Sequence, residues 1–292
     1  MGDVLRVVQL NCGSLIEPGW DERRHEVVAW LDRLAPDVVC LQEVWATGDE
    51  PSTAHWIAEA AAGRWHVAFD GAPFDPRLWP DESMRFGSAI LSRWPIEDQA
   101  LHRLPTVSDD LMIAGVPWEL LWVSTAGLDV FSTHLVAPPQ NTLDRQAQVL
   151  EVVRLIESTR GDKDELVFGG QREAMPAILC GDFNAEPDSD EIRFLRGLTA
   201  LDGRTTFFQD AWVVAGEGPG LTQDWRVCPL AAALNVHRKR IDYCFVGDTF
   251  RRAGHAGRVK RAELAFHEPL TGTMASDHLG LVVEITWPTR PT

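Results

Sequence analysis

The sequence predicts an α/β (α+β) fold, because short apolar runs typical of strands alternate with amphipathic segments typical of helices. Hydrophobic residues make up 45% of the 292 residues and charged residues 24%, so a sizeable core can be buried, as in globular proteins. The predicted strands cover residues 4–11, 38–44, 65–70, 88–92, 120–124, 128–134, 177–182, 241–246 and 281–286.

Helical periodicity is clearest in two segments. Residues 21–34 carry apolar side chains on one face and are followed by Pro36, a stop signal. Residues 142–158 repeat apolar side chains at spacings of three and four. A shorter helix is predicted after Asp188, which with Glu191 resembles a capping box.

Three long segments, residues 71–86, 161–173 and 216–238, are predicted to be loops. Loops of this length in a compact protein usually serve function or are mobile. Polar motifs lie on both sides of each loop, which makes a domain boundary there awkward. We therefore expect a single domain spanning residues 1–292.

The charge balance argues against long polyanions as partners. There are 27 Lys plus Arg and 43 Asp plus Glu, a formal net charge of −16, so the average field repels nucleic acid and anionic membranes. The one basic cluster, residues 237–240, can be either a solvated loop or a patch that faces phosphate.

The cysteines and the N-terminal residues indicate in which cellular compartment the protein is expected. The five cysteines are odd in number, dispersed and without C-x-x-C spacing, which argues against a disulfide framework and a zinc site. The sequence shows no signal peptide and no apolar run long enough to span a membrane. We expect a cytoplasmic protein.

Two apolar runs end in acids. Asp182 and Asn184 follow one run, and side chains two apart on a strand point to the same side, so both can face one cleft; an Asx turn is the alternative. Glu43 interrupts another run. A desolvated carboxylate is costly unless it binds a cation or forms an internal salt bridge.

Other strand ends carry polar groups as well. Asn11 closes the first predicted strand and His134 another, although His134 alone could be a satisfied core histidine. Asp242 opens a buried strand, and Asp277 and His278 stand just before the last one. Because polar side chains recur at the ends of several predicted strands, we expect them to form one functional site.

These residues resemble the ordered motifs of the endonuclease/exonuclease/phosphatase superfamily across nearly the whole chain. The resemblance implies a four-layer α/β/β/α sandwich, with two packed mixed β-sheets flanked by helices. It also implies a metal-dependent phosphoester hydrolase. The motifs are Asn11, LQEV (41–44), GSAILSR (87–93), THL (133–135), GDFN (181–184), RIDY (240–243) and SDH (276–278).

The resemblance implies a role for each residue. Glu43, Asn11 and Asp277 would hold Mg²⁺ (or Mn²⁺), which prefers hard oxygen ligands. Asp182 would orient and deprotonate the attacking water, and Asn184 would hold that water or a phosphate oxygen.

Two histidines would stabilise charge in the transition state. His134 and His278 would donate hydrogen bonds to non-bridging phosphate oxygens. Asp242 would accept from His278 and fix its tautomer. Residues 84–89 lack the glutamate that partners the middle histidine in many nucleases of the superfamily, which weakens the DNA-nuclease alternative.

The motif set fixes the bond type and leaves the substrate open. The pattern resembles most the neutral-sphingomyelinase-like branch, so we expect a phosphodiesterase or phosphatase acting on a small or lipid-like phosphoester. A nuclease acting on DNA or RNA is the alternative. A non-catalytic scaffold would be expected to have lost at least one of these residues, and none is missing.

Five residues are expected to contact substrate. Asn184 and His134 would do so from strand ends, and Arg240 from the basic cluster. Trp79 and Trp225 stand on long loops, where specificity is commonly placed. The alternative is that these two rings only pin the loops to the core.

Overall fold

Two six-stranded sheets form the framework of the protein, in the orders β11-β12-β1-β2-β4-β3 and β5-β6-β7-β8-β10-β9. The computed structural model describes residues 4–13, 17–165 and 170–291. The strands are β1 (Val4–Asn11), β2 (Val38–Thr47), β3 (His66–Phe69), β4 (Met84–Ser92), β5 (Ile96–Arg103), β6 (Glu119–Thr125), β7 (Leu128–His134), β8 (Ile178–Asp182), β9 (Phe208–Asp210), β10 (Asp242–Gly247), β11 (Val259–Ala265) and β12 (Gly280–Thr286).

Both sheets are mixed. Strand β1 runs parallel to β2, and β7 runs parallel to β8, whereas the other neighbours are antiparallel. The first sheet contains strands from both ends of the chain, since β1 pairs with β12. The single-domain interpretation stays a prediction.

Helices cover the outer faces of both sheets, and one short helix packs into the core between the sheets. The helices are α1 (Trp20–Leu34), α2 (Thr53–Ala60), α3 (Leu111–Ala114), α4 (Thr142–Arg160), α5 (Asp190–Leu195), α6 (Ala211–Ala215) and α7 (Pro229–Ala233). Helices α1 and α2 share a core with the first sheet, and α4 and α5 share one with the second. The predicted α/β sandwich of two mixed sheets flanked by helices is confirmed.

Successive side chains of a strand point to opposite faces of the sheet, so one strand contributes to two hydrophobic cores. In β1, Leu5 and Val7 pack between the sheets, whereas Val8 and Leu10 pack against the helical layer. The odd-numbered face of β1 continues inward with Gln9 and then Asn11, so polar groups follow apolar ones along the seam between the sheets. All five cysteines lie in the described part of the chain and are free.

The predicted strands are all present, with bounds that differ by a few residues. Strands β5, β9 and β11 were not predicted, and each lies at the edge of a sheet. An edge strand buries little of its surface, so its sequence can stay polar, as most of β5 does. Helix α2 was also missed, since it spans only eight residues.

Some local expectations were wrong. The capping box at Asp188 is absent, because α5 begins after Ser189 without a side-chain cap. Glu191 instead accepts hydrogen bonds from Thr142 Oγ1 at 2.6 Å and Arg145 Nε at 3.3 Å.

The predicted loops are shorter than expected. β4 begins inside segment 71–86, and α7 lies within segment 216–238. The predicted loop 161–173 includes residues 166–169, which lie outside the described residues. Among the described residues, no helix is long and apolar enough to cross a membrane.

The parallel pair β7–β8 requires a glycine at position 181. A Cβ on Gly181 would lie 2.2 Å from the backbone oxygen of Thr133 on β7, which cannot move without disturbing the ladder. We expect Gly181→Ala to lower the free energy of unfolding by about 1–3 kcal/mol, measured by urea titration. Gly247→Ala is the control, since its Cβ would approach no atom closer than 3.3 Å. Equal losses would contradict this explanation.

Candidate active site

The inward-facing side chains of several strand ends meet at one end of the seam between the sheets. His134 pairs with Asp182 in the parallel β7–β8 ladder, and Asp242 pairs with Asp182 in the β8–β10 ladder. Asn11 ends β1 in the other sheet. These four side chains are at most 8% exposed, so their charges and hydrogen bonds act in a poorly solvated site.

A β-bulge brings Glu43 into the site. The ladder between β2 and β4 shifts register after Leu41, so that Gln42 and Glu43 together lie opposite Ser88. Strict alternation would turn Glu43 toward the helices with Leu41; in the bulge it adopts a φ of 58° and reaches Asn11. The Ser88 N–H, freed from the ladder, donates to Glu119 Oε1 at 2.8 Å.

Asn11 links acids from the two sheets. Its Nδ2 donates to Glu43 Oε1 at 2.9 Å and to Asp182 Oδ2 at 3.0 Å. Its Oδ1 accepts from the Gly13 N–H at 3.0 Å. The amide is therefore held in one orientation, and it fixes the distance between the two carboxylates.

Asp182 lies between two histidines. Asp182 Oδ2 is 3.6 Å from His134 Nε2 and 3.8 Å from His278 Nε2. The backbone N–H of Asn184 donates to Asp182 Oδ1 at 2.9 Å, which requires a turn in which Asn184 has a φ of 47°. Asn184 Nδ2 donates to Leu135 O at 3.0 Å and lies 3.1 Å from His134 Nε2.

The two histidines have opposite electrostatic surroundings. Burial lowers the pKa of His134 and outweighs the charge of Asp182. Burial also opposes the charged form of His278, but the charges of Asp242, Asp277 and Asp182 outweigh it and raise the pKa of His278 well above its ordinary value. His278 Nδ1 lies 2.9 Å from Asp242 Oδ2, as predicted for this pair.

A buried network of polar side chains lies between Asp242 and the apolar core. Gln9 and Gln42 exchange side-chain hydrogen bonds, and Gln42 Nε2 also donates to Ser132 Oγ at 3.0 Å. Gln9 Nε2 lies 3.4 Å from Asp242 Oδ1. The network joins strands of both sheets and separates the apolar core from the acids.

Glu17, Glu43 and Asp277 form an acidic pocket beside Asn11. Burial, the charge of Glu17 and that of Asp277 raise the pKa of Glu43 to about 8. Burial and the charge of Asp277 raise the pKa of Glu17 to about 7. Carboxylate and amide oxygens that repel one another in this way fit a hard divalent cation, which would relieve the repulsion.

A second group of acids and histidine could also hold a metal: ligand atoms of Asp182, Asp242 and His278 lie within 4.8 Å of one another. Here, however, Asp242 Oδ2 and His278 Nδ1 already bond each other. The acidic pocket is the alternative: there Asp277 Oδ2 is 3.9 Å from His278 Nε2, so Asp277 is less tightly paired than Asp242.

The family assignment follows from the whole chain. The Endonuclease/Exonuclease/phosphatase family model matches residues 8–278. The chain belongs to this family. Members of the family are metal-dependent phosphoesterases and hydrolases, and the resemblance seen in the sequence is confirmed. No curated protein matches the sequence.

Solved structures of this family share the fold. An endonuclease/exonuclease/phosphatase from Beutenbergia cavernae has a TM-score of 0.67 at 22% identity, covering 98% of this chain and 72% of that one. D. rerio TDP2 complexed with a single-strand DNA product has a TM-score of 0.68 at 20% identity, covering 97% and 98%. The human Nocturnin catalytic domain with bound sulfate has a TM-score of 0.65 at 20% identity, covering 97% and 93%.

Arg240, which was predicted to contact substrate, is paired with an acid of this protein. It is 4% exposed, and its Nη1 bonds both oxygens of Asp210 at 3.0 and 2.9 Å. Arg238, in the same basic cluster, forms a two-oxygen ion pair with Asp224. Both guanidinium groups therefore pair with acids of this protein, and substrate binding by Arg240 stays a prediction.

The two loop tryptophans differ in their surroundings. Trp79 joins an aromatic cluster with Trp45, Phe74 and Phe86, in which ring centroids are 4.9 to 6.2 Å apart. The Phe86 ring lies 6.4 Å from that of His134, so this cluster extends from the site to the surface. Trp225 is 48% exposed and packs against Arg226.

Two site residues were missed by sequence reasoning. Gln223 Nε2 lies 2.8 Å from His278 Nε2 and donates to Asp277 Oδ2 at 3.2 Å. Glu17 borders the acidic pocket. Both come from loops, where no periodicity indicates the direction of a side chain; the only signal was that each is polar and near a motif.

The opposite environments of the histidines can be measured by NMR titration. We expect His278 to titrate above about pH 6.5, the ordinary histidine value, and His134 below it. Asp242→Asn should lower the pKa of His278, because it removes the nearest negative charge. While Asp242 stays ionised, the raised pKa of His278 contributes stability that is fully present below about pH 6.5 and is lost as pH rises through that raised pKa. An unchanged His278 titration in Asp242→Asn would contradict the pairing.

Proposed function

We propose that the protein is a divalent-metal-dependent phosphoester hydrolase in which Asp182 activates the attacking water. The observation that carries the proposal is the placement of the Asp182 carboxylate, held by amides of Asn11 and Asn184 and within 3.8 Å of two imidazole nitrogens. A buried carboxylate with a fixed orientation can accept a proton from water without reorganisation.

The two histidines have different proposed roles. His278 would donate to a phosphoryl oxygen through Nε2, since Asp242 pairs with Nδ1. Gln223 Nε2 lies 2.8 Å from His278 Nε2 and is itself a donor, so this amide would have to turn away when His278 carries a charge. His134 is neutral, and its Nε2 accepts from Asn184 Nδ2, which also donates to Leu135. The geometry therefore supports His134 as a positioning residue for Asn184 rather than the donor expected from sequence.

Glu43, Asn11 and Asp277 would hold the cation. When bound, Mg²⁺ or Mn²⁺ withdraws charge from the phosphoryl group or leaving oxygen as a Lewis acid. Asn11 would contribute its carbonyl oxygen, and its Nδ2 keeps Glu43 in place at 2.9 Å. Gln223 Nε2 donates to Asp277 Oδ2 at 3.2 Å and so holds this proposed cation ligand in place.

The substrate that fits best is a small or lipid-like phosphoester. Nucleic-acid binding depends on several free Lys or Arg contacts to phosphates, and the protein has a net charge of −16 with Arg238 and Arg240 in ion pairs. The aromatic cluster beside His134 offers an apolar surface for the rest of the substrate. The cytoplasmic location stays a prediction.

A nuclease activity is the second candidate. It is favoured by one observation: D. rerio TDP2, whose structure matches 97% of this chain, was solved with a single-strand DNA product. A single strand needs fewer phosphate contacts than a duplex when its bases stack on aromatic rings. Trp79, 43% exposed, is such a ring.

The reaction can be tested with a substrate panel of a phosphodiester, a phosphomonoester, sphingomyelin, a single-stranded oligonucleotide and supercoiled plasmid, each with Mg²⁺ or EDTA. We expect Mg²⁺-dependent hydrolysis of a small or lipid-like ester to be faster than cleavage of either DNA. Asp182→Asn should lower kcat by about 100-fold or more with KM nearly unchanged, since it removes the general base.

Two outcomes would change the conclusion. Efficient plasmid nicking that falls steeply with salt would favour the nuclease. An Asp182→Asn variant that keeps the parental kcat would reject Asp182 as the base. Asp190→Asn, a change on the exposed start of α5, controls for the loss of one carboxylate.

The aromatic cluster can be tested with a matched pair of tryptophans that are 43% and 48% exposed. We expect Trp79→Ala to raise KM several-fold for the preferred substrate, because Trp79 continues the apolar surface that begins at His134. Trp225→Ala should change KM less, since its ring packs against Arg226. If Trp79→Ala leaves KM unchanged, the cluster only pins its loop to the core.

A further inference from the structure

Glu17 adds a carboxylate to the acidic pocket. A Cβ on Gly13 would lie 2.1 Å from Glu17 Oε2 and 3.3 Å from Asp277 Oδ1, so both carboxylates border the space that this glycine leaves open. The Gly13 N–H donates to Asn11 Oδ1 at 3.0 Å, which places the same space beside Asn11. Glu17 is 8% exposed.

One oxygen of this carboxylate is unsatisfied: among the described residues, Glu17 Oε2 has no hydrogen-bond partner. Arg23 Nη2 lies 3.9 Å away, close enough for a weak ion pair but beyond hydrogen-bond distance. The Arg23 guanidinium instead donates to backbone carbonyls, among them those of Cys12, Gly13 and Ala275. A buried acid in this state is costly unless a further cation is present.

A role in helix capping does not explain Glu17. Helix α1 begins at Trp20 after Gly19, which makes no side-chain cap. The acids in its first turn are Asp21 and Glu22, which suit the positive end of the helix dipole. Glu17 lies before the helix and faces Gly13.

We propose that Glu17 belongs to the cation site and gives it a third carboxylate beside Glu43 and Asp277. This inference rests on the proposed function, which places Mg²⁺ or Mn²⁺ at that pocket. Mg²⁺ retains several waters in protein sites, and Glu17 would accept hydrogen bonds from that hydration shell on the side of Gly13. Three acids in one buried pocket repel one another, and a divalent cation would relieve that repulsion.

The test is direct Mn²⁺ binding by isothermal titration calorimetry, without substrate. We expect Glu17→Gln to weaken Mn²⁺ binding by about 10- to 100-fold, as changes in outer ligands of metal sites do. Glu22→Gln is the matched control, because it removes one exposed carboxylate five residues along the chain and should leave the Kd unchanged. Melting curves without metal should show Glu17→Gln at least as stable as the parent, since it relieves repulsion.

A comparison with Glu43→Gln separates the two possible failures. If Glu17→Gln binds Mn²⁺ with the parental Kd while Glu43→Gln binds weakly, Glu17 is not part of the site and the proposed function stands. If Glu43→Gln also binds normally, the metal site of the proposed function is wrong. If Glu17→Gln does not fold, Glu17→Asp is used instead. This variant keeps the negative charge but shortens the side chain by one methylene group. Parental Mn²⁺ affinity of Glu17→Asp would overturn the inference.

Discussion

The carboxamide of Asn11 is the contact on which the site depends, because it joins the two sheets where their inner faces meet. It holds Glu43 of the first sheet and Asp182 of the second within hydrogen-bond distance of one nitrogen. The proposed cation-binding side and the proposed water-activating side are therefore fixed relative to each other by the packing of the sheets. A shift between the sheets would separate the two halves of the site.

Along the strands, the side chains that face the space between the sheets change from apolar to polar and then to acidic. Apolar side chains such as Cys40 and Cys180 fill the seam first, then come Gln42 and its amide and hydroxyl partners, and the acids stand at the end. The polar middle layer matters energetically, since a carboxylate placed directly on the apolar core would lack donors. Gln9 approaches Asp242 in this way at 3.4 Å.

Strand alternation explains both what could be predicted and what could not. Asn11 and Asp182 could be placed from sequence, because both continue the inward face of an apolar strand. Glu43 was identified, but its direction depends on a bulge that alternation cannot show. Gln223 and Glu17 come from loops whose paths are set by tertiary contacts. The missed strands are edge strands, in which solvent exposure removes the hydrophobic pattern.

The two histidines show why equal motifs need not mean equal roles. Against the effect of burial, the charges of three carboxylates raise the pKa of His278, whereas burial lowers the pKa of His134, which faces one carboxylate and packs against Trp118. In the proposed mechanism, a phosphoryl group bound between the two histidines would meet positive charge on the His278 side only. Negative charge developing in the transition state would then be drawn toward His278 and the cation, while His134 and Asn184 would keep Asp182 and the attacking water aligned from the opposite side.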